Sequence, residues 1–161
     1  MEQMGVGDNY QRAIRNLGIQ SVLTDVPVEA YQADGKTGFT ARYFNNKTLT
    51  GDPVATAQME KIDMFESQSP RDGVKADGWS MILESELTSP ADGTMAFSIT
   101  GDDGYRLIVD GRELCSDWGD HAETSRLATI TTTKGQRHAI RIEYYDNEYN
   151  GILRLKTMVV Q

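Results

Sequence analysis

The residues whose type and spacing best suit chemistry are two adjacent aspartates, Asp102 and Asp103, bracketed by glycines in Gly101-Asp102-Asp103-Gly104. Two carboxylates on one tight turn repel each other. The pair persists most easily where a cation, backbone N–H donors or a polar ligand neutralises it. Adjacency is wrong for glycoside hydrolysis, which needs two carboxyl groups set apart across the scissile bond. His121, in Asp117-Trp118-Gly119-Asp120-His121, has carboxylates beside it for an acid–base pair. His138 opens a strand and reads as structural or exposed. These two histidines are too few and too far apart for a metal cluster. No serine shows nucleophile-elbow spacing and no glycine loop suits a phosphate, so no catalytic residue is expected in this chain.

The elements that must position the aspartates are two alternating runs. Met95, Phe97 and Ile99 alternate with Ala96, Ser98 and Thr100; beyond the turn, Tyr105, Leu107 and Val109 alternate with Arg106, Ile108 and Asp110. The stretch therefore reads as a hairpin of two strands joined by an acidic loop. Asp110-Gly111 marks a second hairpin through a type I′ turn. Further strands are predicted over Phe39–Phe44, Trp79–Leu87, Thr124–Thr133, His138–Tyr145 and Ile152–Val160, with a weaker one over Met59–Phe65. Turn-rich segments separate them. Strands at this spacing, with almost no helical pattern, predict an all-β fold, an antiparallel sandwich or barrel, from residue 38 to 161.

Residues 1–37 differ in character. Asp8 can cap a helix over Asn9–Asn16 that carries Tyr10, Ala13, Ile14 and Leu17 at helical spacing, and Gly18 stops it. Ile19–Thr24 reads as a short apolar strand, and Ala33–Gly38 as a polar linker. One helix feeding one strand cannot make a sheet alone, so this tail reads as the remnant of an upstream α/β domain. Its strand has unpaired edges, which dock on the sandwich or pair with a second copy.

The 161 residues allow one domain of ordinary size. A formal charge of −8 argues against nucleic acid and anionic membrane surfaces as partners. Acidity suits a metal or a neutral polar ligand, and more commonly just a solvated surface. No apolar run reaches membrane length, so no membrane insertion is expected. The single cysteine, Cys115, excludes an internal disulfide and reads as a small buried hydrophobe.

The runs FTARYFNNKTLTGDPV, ILESELTSPADGTMAFSITGDDGYRLIVDGRELCSDWGDH and KGQRHAIRIEYYDNEYNGILRLK, in that order, resemble the protective-antigen-14 (PA14) domain family over roughly Gly38–Gln161. The resemblance implies a β-sandwich, often described as a barrel, appended to or inserted in secreted glycosidases, glycosyltransferases, adhesins and toxins. It implies a carbohydrate-binding accessory module, periplasmic, cell-surface or secreted. The alternative it carries is a non-binding structural module that shields or positions a neighbouring catalytic domain. In lectin-like members the aspartate pair holds a calcium ion that bridges sugar hydroxyls; here the pair is Asp102 and Asp103. The matching late loop, Asp146–Asn150, nominates Asn147 and Asn150 as ligand-binding residues and Tyr149 as a stacking surface. Tyr149 lies between Glu148 and Asn150, outside the strand pattern, and is expected to be exposed. Trp79 and Trp118 are alternative platforms, though a tryptophan inside an apolar run is more often core.

NYQRAIRNLGIQSVLTDVP, within residues 8–30, is similar to the closing helix and strand of a glycerophosphodiester phosphodiesterase barrel, through Leu17-Gly18, Thr24-Asp25 and Pro27. Family 3 glycoside hydrolases, which commonly carry this β-domain, are a second expected parent. Either would make the upstream catalytic domain a partner of the module.

Overall fold

A computed structural model describes residues 22–161. The expected helix over Asn9–Asn16, and residues 19–21 of the first expected strand, lie outside the described residues. The remainder folds as thirteen strands and one short 3-10 turn at Val28–Ala30. In chain order the strands are β1 (Leu23–Asp25), β2 (Tyr31–Ala33), β3 (Lys36–Thr37), β4 (Phe39–Phe44), β5 (Ala55–Met59), β6 (Asp63–Glu66) and β7 (Trp79–Thr88). They continue as β8 (Gly93–Asp102), β9 (Tyr105–Val109), β10 (Arg112–Asp117), β11 (Thr124–Thr132), β12 (Arg137–Asp146) and β13 (Gly151–Val160).

Every pairing is antiparallel. A five-stranded sheet runs β1-β13-β8-β11, with β6 on the other half of β13. An eight-stranded sheet runs β10-β9-β12-β7-β2-β3, with β4 and β5 beside the rest of β7. Both sheets keep open edges, so the fold is a sandwich and not a closed barrel. Period-two alternation drives the assembly, because each strand turns one apolar face inward. Along β7 those are Trp79, Met81, Leu83 and Leu87, all fully buried; from β8 come Met95, Phe97 and Ile99, and from β9 Tyr105 and Leu107. Burying such side chains contributes about 1.5–3 kcal/mol each.

Three sequence expectations change here. β8 and β9 are not a hairpin. β8 pairs with β11 and β13 in one sheet, while β9 pairs with β10 and β12 in the other. Phe97 and Ile99 on one side and Tyr105 and Leu107 on the other all need the same core, so the aspartate turn carries the chain between layers. The polar Ala33–Gly38 segment is the β2–β3 turn and strand rather than a linker, and the eight-stranded sheet reaches back to Tyr31. Met59–Phe65 belongs to two strands, the end of β5 and most of β6, with Ile62 buried between them. The Asp110-Gly111 turn joins β9 to β10 with φ of 52° and 79°, as type I′ requires. Leu23–Asp25 docks on the sandwich as β1 beside Met158–Val160.

Candidate site at one end of the sandwich

The turn from β8 to β9 places Asp102 and Asp103 at the end of the sandwich, joined by a cis peptide bond. The flanking glycines are needed for close packing. A Cβ on Gly101 would lie 2.4 Å from the Tyr105 ring, and one on Gly104 would lie 2.2 Å from the ring of Tyr145. Asp103 is buried, and its two oxygens accept backbone N–H groups from His121 (3.1 Å) and Asn147 (2.8 Å). These donors come from two loops, so one carboxylate ties both to the turn. Asp102 is half-buried. Burial and then the neighbouring Asp103 charge push its carboxyl above the usual range.

All five residues nominated from the sequence meet here. Asp102, Asp103, Asn147, Tyr149 and Asn150, with His121, line a polar depression of about 290 Å³. Tyr149 is 80% exposed. Its backbone takes φ of 66°, and its N–H donates to Asp77 Oδ1 at 3.1 Å. The Asn147 side chain is turned aside. Its Oδ1 accepts from Lys47 Nζ at 2.9 Å and its Nδ2 donates to Asp120 Oδ2 at 3.3 Å.

The backbone engages both ring nitrogens of His121. Its Nδ1 and Nε2 lie 2.5 and 2.9 Å from the carbonyl oxygens of Ala122 and Asp117. Burial lowers its pKa, but those two acceptors and the Asp117 charge outweigh burial and raise it. Neither tryptophan lines this depression. Trp79 is fully buried between Tyr43 and Tyr144. Trp118 has the Arg106 guanidinium 3.8 Å over its ring and Tyr145 against its edge. His138 is buried and structural, held between Asp110 Oδ2 and Thr132 Oγ1 at 2.8 Å each.

Sequence reasoning missed Asp146. It is 1% exposed, and neither carboxylate oxygen has a hydrogen-bond partner among the described residues. The Trp79 indole N–H, likewise unpartnered, lies near enough to favour the carboxylate slightly. Burial, followed by the charges of Asp103, Asp77 and Asp102, pushes the Asp146 carboxyl up to about 7. A signal was legible: Asp146 shares the inward parity of Ile140, Ile142 and Tyr144, where an acid has no ordinary place. Among the described residues, no three His, Cys, Asp or Glu side chains converge at metal-binding separations.

The architecture and the site together define a two-layer β-domain whose polar chemistry sits on end loops. The chain belongs to the PA14 domain family, which it matches over residues 35–160. An anti-sigma factor domain-containing protein from Clostridium clariflavum superposes with a TM-score of 0.68 at 25% identity, over 74% of this chain and 41% of that one. A PA14 sugar-binding domain from an RTX adhesin gives a TM-score of 0.59 at 18% identity, over 74% and 88% of the two chains. A β-glucosidase from Kluyveromyces marxianus in complex with glucose gives 0.61 at 14% identity, over 92% of this chain and 20% of that one. The chain thus spans less than half the length of the anti-sigma protein and about a fifth of the glucosidase. No curated protein matches it.

Proposed function

We propose that this chain is a carbohydrate-binding accessory module whose ligand sits in the depression formed by the Asp102–Asp103 turn and the 146–150 loop. The observation that carries the reading is Tyr149, an 80% exposed ring held beside two carboxylates in one polar cavity. An aromatic face suits the C–H surface of a pyranose, and carboxylates accept from its hydroxyls. The sugar-binding domain of the RTX adhesin, which shares this fold, supports it, as does the occurrence of the fold within about a fifth of a β-glucosidase.

We propose calcium as the ion for this site, although among the described residues no three acidic side chains converge on one point. The donors are hard oxygens, and Asp146 holds two buried carboxylate oxygens without partners beside Asp102 and Asp103. Asp102, Asp103 and Asn150, which line the depression, are the residues that would hold the ion; the Asn147 amide oxygen is already held by Lys47. When bound, calcium supplies a positive centre to which vicinal sugar hydroxyls bind. The chain's own part is to hold the Asp103 carboxylate in place through the His121 and Asn147 amides and to present Tyr149.

We further propose that a longer hydrolase carries the module, a glycerophosphodiester phosphodiesterase or a family 3 glycoside hydrolase, at a periplasmic, cell-surface or secreted address. The greater length of the anti-sigma protein and the glucosidase, and the adhesin origin of another neighbour, support this. Calorimetric titration with calcium, then a glycan array with and without the ion, tests the binding reading. Saturable glycan binding that is weakened in Asp102→Asn and in Tyr149→Ala is expected. A blank array in both conditions would leave the structural accessory role as the better account.

A further inference from the structure

The outer face of the eight-stranded sheet carries a groove of about 450 Å³, larger than the end-loop depression. Its floor is built in register. One row across the sheet reads Ile108, Arg141, Glu84, Thr40, and the next reads Ala139, Glu86, Gln32. The small Ala139 side chain leaves the hollow, while Asp34 beyond β2 and Gly111 in the β9–β10 turn stand at its ends. From β9 to β4 the floor crosses three interstrand steps, about 14 Å.

The chemistry of this floor is mixed in a particular way. Arg42 donates to Glu84 at 2.9 Å, and Arg141 turns Nε and Nη2 to Glu143 at 3.1 and 2.9 Å. Among the described residues neither guanidinium has a further side-chain partner, so both keep unspent N–H donors, and both are partly exposed. Glu84 and Glu86 are roughly half-exposed and keep acceptor capacity. Guanidiniums only donate and carboxylates only accept. A hydroxyl does both, so a polyol can bridge neighbouring Arg and Glu side chains that an anion or a cation would satisfy on one side only. Arg42 and Arg141 stand against Asp34, Glu84 and Glu86, so the lining is close to charge balance and favours a neutral ligand. A peptide strand is disfavoured because the floor lies mid-sheet, where backbone groups are already paired across the ladder. Ile108 and Ala139 supply apolar surface for ring C–H groups.

We infer that this groove is a second ligand site, taking a short segment of a neutral polysaccharide without calcium. It shares no lining residue with the end-loop site. The test is ¹H–¹⁵N NMR titration of the whole chain in excess EDTA with cellohexaose, laminarihexaose and xylohexaose in turn. At least one should give saturable shifts at Glu84, Glu86, Ala139 and Arg141. Affinity should fall at least about tenfold in Arg42→Ala/Arg141→Ala, as expected for losing hydrogen bonds from charged donors. It should also be lost in Ala139→Trp, which fills the hollow and leaves the ion pairs in place. Asp102→Asn and Tyr149→Ala should leave it unchanged. No shift with any hexaose, shifts confined to residues 102–103 and 146–150, or binding that survives both groove variants would overturn the inference and leave the Arg and Glu side chains as surface ion pairs.

Discussion

The backbone N–H of Asn147 donates to Asp103 Oδ2 at 2.8 Å, across 44 residues of chain. That bond joins the turn bearing the aspartate pair to the loop bearing Tyr149. With the matching bond from His121 to Oδ1, it makes Asp103 the clip of the site and leaves Asp102 and Asp146 as its less constrained acids.

Asp103→Ala should therefore destabilise the chain by roughly 2–4 kcal/mol, since it strands two N–H groups that donate to a buried carboxylate. Asp102→Ala should cost under about 1 kcal/mol, because that side chain is half-buried and tethers neither loop. Urea unfolding of the two variants checks the difference. Equal costs would show that the clip is not Asp103.

Asp146 predicts an unusual pH dependence without metal. Its folded pKa is raised to about 7, whereas an unfolded aspartate titrates near 3.8. Between those values the folded state binds more protons than the unfolded one, so this group's contribution to stability falls as pH rises from about 4 to about 7. Asp146→Asn should remove that slope and, at pH 7 in EDTA, raise stability by roughly 2–4 kcal/mol. Denaturation curves at a series of pH values measure it. An unchanged slope in the variant would place the titration elsewhere.

Gly104→Ala puts a methyl where the Tyr145 ring already sits, with 2.2 Å between Cβ and Cε1. Overpacking of this kind costs about 1–3 kcal/mol. Double substitution with Tyr145→Ala should recover part of that cost, since the clash is with the ring. A thermal-melt double-mutant cycle showing simple additivity would contradict the contact.

Tyr149→Ala should leave stability within about 0.5 kcal/mol of the parent, since the ring is 80% exposed. Glycan affinity at the end-loop site should fall about tenfold, roughly 1.4 kcal/mol, through loss of the stacking surface. Melting and glycan titration on the same preparation separate the two effects. Reduced stability with unchanged affinity would recast Tyr149 as a loop brace.

Alternation along β7, β8, β9 and β12 was enough to predict these strands, because period-two burial is a local property of a chain facing one core. The Asp110-Gly111 hairpin was equally local, set by two residues that tolerate positive φ. The meeting of Asp102, Asp103 and the 147–150 loop came from resemblance to a family and not from periodicity. Spacing of 44 residues says nothing about proximity. What only the tertiary structure decided was partnership. Neighbouring strands β8 and β9 separate into different sheets because their inward faces must oppose one another. Lys36–Thr37, polar enough to read as linker, is recruited by β2 at a sheet edge. Asp146 read as the first residue of a polar loop; its parity with Ile140, Ile142 and Tyr144 was visible in the sequence, but its enclosure beside Asp103 depends on which distant strands surround β12. Burial and hydrogen-bond partners of a polar side chain depend on which distant strands surround it, and no local pattern carries that information.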